Sequence, residues 1–313
     1  MTNLDKIKET LSSANSIVFG QEKMLRSIVS SVICDGHLLI EGMPGLAKTL
    51  SISTISKLLH LDFKRIQFTP DLLPSDLIGT KIYSQKTEEF KTKFGPIFTN
   101  VLLADEINRS PAKVQSALLE AMAEKQVTIG EQSYPLEKAF IVLATQNPVE
   151  QEGTYPLPEA QLDRFMMKMV TNYPSFESEL KVLEPVNSKK ALEAMLEFDT
   201  IEEIRDEIDR IHVSDVLKRS IVSISHSTRP GNEKFDQKYK NTILHGVSPR
   251  ATIWLYRLAK VNAFFEKRDH VLPDDIMYSI NDILGHRIAL TYDAKIEGVE
   301  LNSLIKEIGL ANL

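Results

Sequence analysis

The chain has 313 residues, with 37 Lys+Arg against 43 Asp+Glu and a formal charge of −6. Its 42% hydrophobic and 26% charged residues exclude a disordered chain, and the acidic balance excludes a protein that coats nucleic acid through overall charge. A single cysteine, Cys34, excludes an internal disulfide and fits a reducing compartment.

The length suits about two domains of roughly 100–200 residues each. Residues 1–11 show no apolar stretch behind a basic start, and no apolar run approaches the ~20 residues that span a bilayer. The expectation is a cytoplasmic protein without membrane insertion.

In chain order, residues 37–41 read as a strand, followed by a Gly/Pro turn and a helix over 48–59. Residues 63–68 and 101–105 read as strands buried on both faces of a parallel sheet. Ser110 reads as an N-cap with Pro111 at the first helical position, opening a helix to Glu124 whose Val114, Leu118 and Met122 recur every four residues. Residues 140–144 and 165–170 read as further strands. Two stretches break the βαβ rhythm: 81–94, closed by Gly95-Pro96, and 127–134, turning at Gly130, both read as hairpins. Beyond Pro174 the strand-like runs stop. Helices are expected over 176–186, 200–211, 249–265 and 273–283. In the second of these, Thr200 and Glu203 read as a capping box, and Ile201, Ile204, Ile208 and Ile211 form one stripe.

The chemistry begins at Gly42-Met43-Pro44-Gly45-Leu46-Ala47-Lys48-Thr49, between a predicted strand and a predicted helix. This is close to G-x-x-x-x-G-K-[ST], in which loop and helix N–H groups converge on phosphate oxygens. Lys48 would neutralise β- and γ-phosphate charge, and the Thr49 hydroxyl would ligate Mg²⁺. The usual second glycine is Ala47, which is tolerable if that residue is helical. Asp105 and Glu106 end a buried strand at the edge where parallel sheets bind ligands. There Asp105 can hold Mg²⁺ through water, and Glu106 can orient or deprotonate an attacking water. Asn147 ends another strand, placed to hold that water or the γ-phosphate, or simply to form an Asn-Pro turn.

Phosphate loop, acidic pair and polar strand end, in that order and with a helical region behind, resemble the AAA+ ATPases, and among them the MoxR subgroup. The resemblance is carried by Val18-Phe19-Gly20-Gln21, by residues 42–49 with their alanine, and by residues 68–76, 104–109, 115–122, 153–165 and 248–251; it spans roughly 15–295. It implies an α/β fold: an AAA+ P-loop NTPase core with a parallel sheet between helices and hairpin inserts (1–174), a connector (175–198) and a smaller all-helical lid (199–313). It implies that Val18, Phe19, Gly20 and Gln21 lie near adenine and that Asn147 is sensor 1. It also implies that Arg164 is an arginine finger for the neighbouring subunit and Arg250 a sensor 2 acting in cis, with Arg109 a weaker candidate for a second intersubunit contact. ATP and Mg²⁺ are the implied ligands, and a ring, a hexamer, the implied assembly. Implied too are a client protein to be matured or given a metal, and a partner with a von Willebrand factor A domain. Two alternatives stand beside this reading. One is a nucleotide-dependent binding switch with little turnover. The other is an MCM-like nucleic-acid motor, for which Lys86, Lys91 and Lys93 leave room although the acidic balance argues against it.

Overall fold

Five strands build the central sheet, in the order β2-β5-β8-β1-β9. They are β1 (Leu38–Glu41), β2 (Phe63–Gln67), β5 (Val101–Asp105), β8 (Ile141–Gln146) and β9 (Met167–Val170). The remaining strands are β3 (Gly79–Ser84) with β4 (Glu89–Phe94), β6 (Gln126–Ile129) with β7 (Gln132–Pro135), and β10 (Ile243–His245) with β11 (Ala289–Leu290). This architecture comes from a computed structural model, which describes residues 2–149, 153–183, 196–231, 239 and 241–313. The described chain divides into two units, residues 1–157 with 169–201, and residues 158–168 with 202–313.

In the first unit, β5 runs parallel to β2 and β8, and β8 runs parallel to β1. The apolar runs explain the order. Leu38, Leu39 and Ile40, Leu102 to Ala104 and Ile141 to Ala144 are all fully buried, as central strands covered on both faces require. β2 departs from the expectation of burial on both faces. It is an edge strand with Lys64 and Arg65 exposed, which an edge tolerates and a centre does not. Register places Gln67 beside Asp105 and Glu41 beside Gln146, so the carboxyl ends of the strands share one rim. β1 sits where the order reverses, the position at which open parallel sheets form their ligand crevice.

Helix Lys48–Leu58 follows β1, and helix Ala112–Glu124 follows β5. Ser110 does not cap the latter: its hydroxyl turns back to the Ile107 carbonyl, 3.5 Å away, and Pro111 takes the N-cap position without a side-chain bond. Helix Glu22–Cys34 carries an apolar stripe of Met24, Leu25, Ile28, Val29, Val32 and Ile33, and is buried from Ser27 to Cys34. Its buried serines are tolerated because a hydroxyl can bond one turn back, as Ser31 does to the Ser27 carbonyl at 2.9 Å. Both expected hairpins form. They meet where the Tyr134 hydroxyl lies 3.1 Å from that of Thr92 and its ring packs edge-on to Phe94.

His37 is a pH-sensitive element of this core. Its Nδ1 accepts the Val142 N–H at 3.0 Å, and Nε2 faces the Met122 carbonyl at 3.4 Å. Burial lowers its pKa to about 4 from 6.5. The unfolded chain therefore binds a proton that the fold refuses, so stability is full above pH 6.5 and falls as pH drops toward 4. The loss reaches at most about 3 kcal/mol. Urea unfolding at pH 7 and pH 5 should show this loss, and His37→Gln, which keeps an acceptor for Val142, should reduce it. A residual slope is expected from His286, also buried and held well below its ordinary value.

Helices Phe176–Leu183 and Phe198–Asp209 follow β9. Residues 184–186 of the first expected helix, and 184–195 of the expected connector, lie outside the described residues. The second helix starts two residues before Thr200, so the Thr200 capping box does not form. The stripe of Ile201, Ile204, Ile208 and Ile211 is buried as expected.

The second unit is mainly helical, with Asp215–Ser227, Pro249–Phe265, Pro273–Leu284 and Leu301–Asn312 as its long helices. Contrary to the all-helical expectation it also carries the short antiparallel pair β10–β11. Arg268 grips Asp275 through two bonds of 2.7 and 2.6 Å, while Asp275 accepts the Leu272 N–H at the helix start. Among the described residues no helix is long and apolar enough to cross a membrane.

Candidate active site

The loop from Gly42 to Thr49 leaves β1 at the rim and enters helix Lys48–Leu58. Gly42 allows a close approach: a Cβ there would lie 1.7 Å from the Thr171 hydroxyl, which would have to move. The condition under which the sequence tolerates Ala47, a helical backbone, is not met: the residue is left-handed at φ 56° and ψ 20°. A residue with a Cβ pays about 1–2 kcal/mol for that conformation, a strain of the kind stored at ligand-binding loops. Lys48 Nζ donates to the Gly42 carbonyl at 2.7 Å, inside the curl of the loop. Burial lowers its pKa, opposed by the nearby charges of Asp105 and Glu106.

Across from the loop, the two acids are held by a connected set of bonds. Thr145, fully buried on β8, donates its hydroxyl to Asp105 Oδ1 at 2.6 Å and accepts the Glu106 N–H at 2.9 Å. Asp105 Oδ2 accepts Arg65 Nε and Nη2 at 3.0 and 2.6 Å. The same Nη2 donates to Gln67 Oε1 at 2.8 Å, and Gln67 Nε2 donates to Glu106 Oε2 at 2.6 Å. Arg109 Nη1 also reaches Glu106 Oε2, at 2.9 Å within its own chain. Glu106 is itself left-handed, at φ 56° and ψ 51°, so its carboxylate is aimed by a strained backbone that Thr145 holds in place.

A cleft of about 390 Å³ opens between loop and acids. It is lined by Pro44, Gly45, Ala47, Lys48, Thr49, Asp105, Glu106 and Asn147 of the expected set, together with Leu50, Arg65 and Gln67. Thr49 and Asp105 both line this cleft and bring to it a hydroxyl and a carboxylate, hard oxygen donors that suit Mg²⁺. Lys48 adds the cation that a polyphosphate needs. Asn147 is buried, with Oδ1 accepting the Val149 N–H at 3.2 Å.

The other expected residues lie elsewhere. Leu46 is buried within the loop and Met43 is half-buried. Of Val18, Phe19, Gly20 and Gln21, the last two lie beside residues 172–178: a Cβ on left-handed Gly20 would come within 2.9 Å of Pro174 and Ser178, and Gln21 Nε2 lies 3.5 Å from the Asn172 carbonyl. Arg164 and Arg250 belong to the second unit. Arg164 is half-buried, and Arg250 Nη1 lies 3.4 Å from Asp163.

Arg65, Gln67 and Thr145 escaped the sequence reading. The signal for the first two was an i, i+2 polar pair at the end of a strand, which shares one face. Thr145 carried no signal, since threonine is ordinary in strands. Thr145→Val should keep the packing and lose both bonds, lowering Mg²⁺-dependent nucleotide affinity or turnover by about 10–100-fold. Thr145→Ser should restore most of it. A Mg²⁺ titration at fixed nucleotide separates this outcome from general destabilisation.

Residues 37–167 match the family model described as ATPase family associated with various cellular activities (AAA), and residues 239–308 match an AAA lid domain. Chaperone MoxR1 of Mycobacterium tuberculosis is 39% identical over 303 residues, covering 96% of this chain and 80% of that protein. YeaC of Bacillus subtilis is 43% identical, covering 94% and 90%. A crystal structure of a Cytophaga hutchinsonii protein, to which ATPase activity is ascribed, superposes with a TM-score of 0.91 at 51% identity, covering 99% of this chain and 95% of that one.

Proposed function

Because the chain belongs to the MoxR family of AAA+ ATPases, we propose that it hydrolyses ATP as a ring, a hexamer, and uses the turnover to remodel or mature a client protein. Phosphoryl transfer asks the protein for positioning and charge neutralisation more than for covalent chemistry. Lys48 and backbone N–H groups of the loop and helix start, from Gly45 to Thr49, bind the β- and γ-phosphates. Thr49 and Asp105 hold Mg²⁺, which when bound neutralises charge on the phosphate oxygens. Glu106 takes a proton from the attacking water at its carboxylate, and Asn147 orients that water. Arg250 approaches the nucleotide in cis, while Arg164 serves the neighbouring subunit. The client class is a protein awaiting a metal or cofactor, with a von Willebrand factor A domain protein as partner, in the cytoplasm.

The observation that carries this reading is the convergence of Lys48, Thr49, Asp105, Glu106 and Asn147 on one cleft. A binding switch without turnover would have no use for Glu106 braced by Thr145, Gln67 and Arg109. Steady-state phosphate release by the purified protein is the test, with Lys48→Ala as blank. A rate above blank that rises with protein concentration as rings assemble is expected. A rate indistinguishable from blank under assembling conditions would turn the proposal into that of a switch.

A further inference from the structure

Residues 158–168 contain Arg164 and pack as part of the second unit, with residues 202–313. One side chain of that unit binds the segment at several points. Arg287 follows helix Pro273–Leu284, and its side chain is only 2% exposed. A guanidinium has five N–H donors, and five acceptors surround this one. Nε donates to Asp163 Oδ1 at 2.8 Å. Nη2 donates to the Asp163 carbonyl at 3.0 Å and to the Phe165 carbonyl. Nη1 donates to the Met166 carbonyl at 3.2 Å and to the Ile283 carbonyl at 2.5 Å.

Four of the five acceptors therefore belong to residues 163, 165 and 166, on both sides of Arg164. His286 adds Nε2 at 3.3 Å from the Phe165 carbonyl. The remaining capacity of Asp163 goes to the start of helix Pro249–Phe265, where the Ser248 hydroxyl lies 2.9 Å from both carboxylate oxygens and Arg250 Nη1 lies 3.4 Å from Oδ2. Stability alone is a weak reason for such a cluster, since apolar residues of similar volume often replace a buried ion pair at no loss. A planar fork that saturates the carbonyls of an irregular segment does something an apolar residue cannot: it fixes the orientation of the backbone between them.

We infer that Arg287 is a positioning residue for Arg164, clamping the backbone on both sides of it to the lid, so that the guanidinium offered to a neighbouring subunit is carried by the lid. This deepens the proposed function and rests on its reading of Arg164 as an arginine finger.

The experiment compares Arg287→Met, Arg287→Lys and Arg164→Ala. Arg287→Lys keeps a cation for Asp163, yet a single ammonium cannot span the carbonyls of residues 163, 165 and 166; it guards against failure of Arg287→Met to fold. Both variants should bind MgATP with near-normal affinity and lose turnover by about 10²-fold, the cost of misplacing a group by ~1 Å. Arg287→Lys mixed with inactive Glu106→Gln subunits should regain turnover, because the latter supply a correctly held Arg164. A merely structural defect in the lid would not respond to mixing.

Turnover of Arg287→Lys within about twofold of wild type, beside an inactive Arg164→Ala, would overturn the inference alone. So would a loss that mixing does not repair. An active Arg164→Ala would instead remove the finger assignment, and the inference with it.

Discussion

Replacing Arg164 by alanine should cut steady-state turnover by about 10³–10⁵-fold and leave MgATP affinity within a few fold of wild type. The split between rate and affinity is the informative part. An arginine that meets the nucleotide only as charge spreads over the transferring phosphoryl group contributes to the transition state and little to the ground state. Arg164→Lys should recover only a small part of the rate, since a point charge lacks the planar fork that meets two oxygens together. Equilibrium binding of a fluorescent nucleotide, measured beside phosphate release, gives the two numbers. If affinity and turnover fall together, Arg164 is a binding residue. If neither changes, it is a structural cation of its own unit.

How much of this was readable from the residue string depends on how local each feature is. The loop over residues 42–49 and the acidic pair could be singled out because each lies on consecutive residues at the end of an apolar run, and those runs are buried strands. Pro249–Phe265 was legible from Pro at its first turn and an uninterrupted helical period. The bracing of the site was not. Arg65 and Gln67 acquire meaning only when β2 lies in register with β5, and Thr145 only when β8 lies on the other side of it. Arg287 is 124 residues from Asp163 along the chain, and nothing local distinguishes it from a solvated arginine. The left-handed backbone of Ala47 was not legible, because strain is invisible in composition and alanine does not itself favour that conformation. Ser110 and Thr200 looked like caps, but Pro111 occupies the first N-cap position and the second helix already begins at Phe198. β10 and β11 span three and two residues, too short for any periodicity to register.

Glu106→Gln should bind MgATP normally and hydrolyse it about 10²–10⁴-fold more slowly, the range expected when a general base is removed. The substitution is nearly isosteric, and the structure explains why it should spare the fold. Thr145 holds the Glu106 N–H, which the mutation leaves intact. The carboxylate bond to Arg109 joins side chains 22% and 41% exposed, and such a pair contributes at most about 1 kcal/mol. Gln67 must turn its amide to meet a neutral partner in place of the carboxylate it now donates to, a rearrangement of one side chain at the rim. What cannot be replaced is the proton acceptor. Rapid-quench single turnover after mixing with ATP isolates the chemical step from product release and is the decisive measurement. A chemical step as fast as wild type would show that water is activated elsewhere and leave Glu106 an anchor for Gln67 and Arg109. A slowed step with intact binding would instead yield a stable ATP-bound state, in which the client should remain engaged.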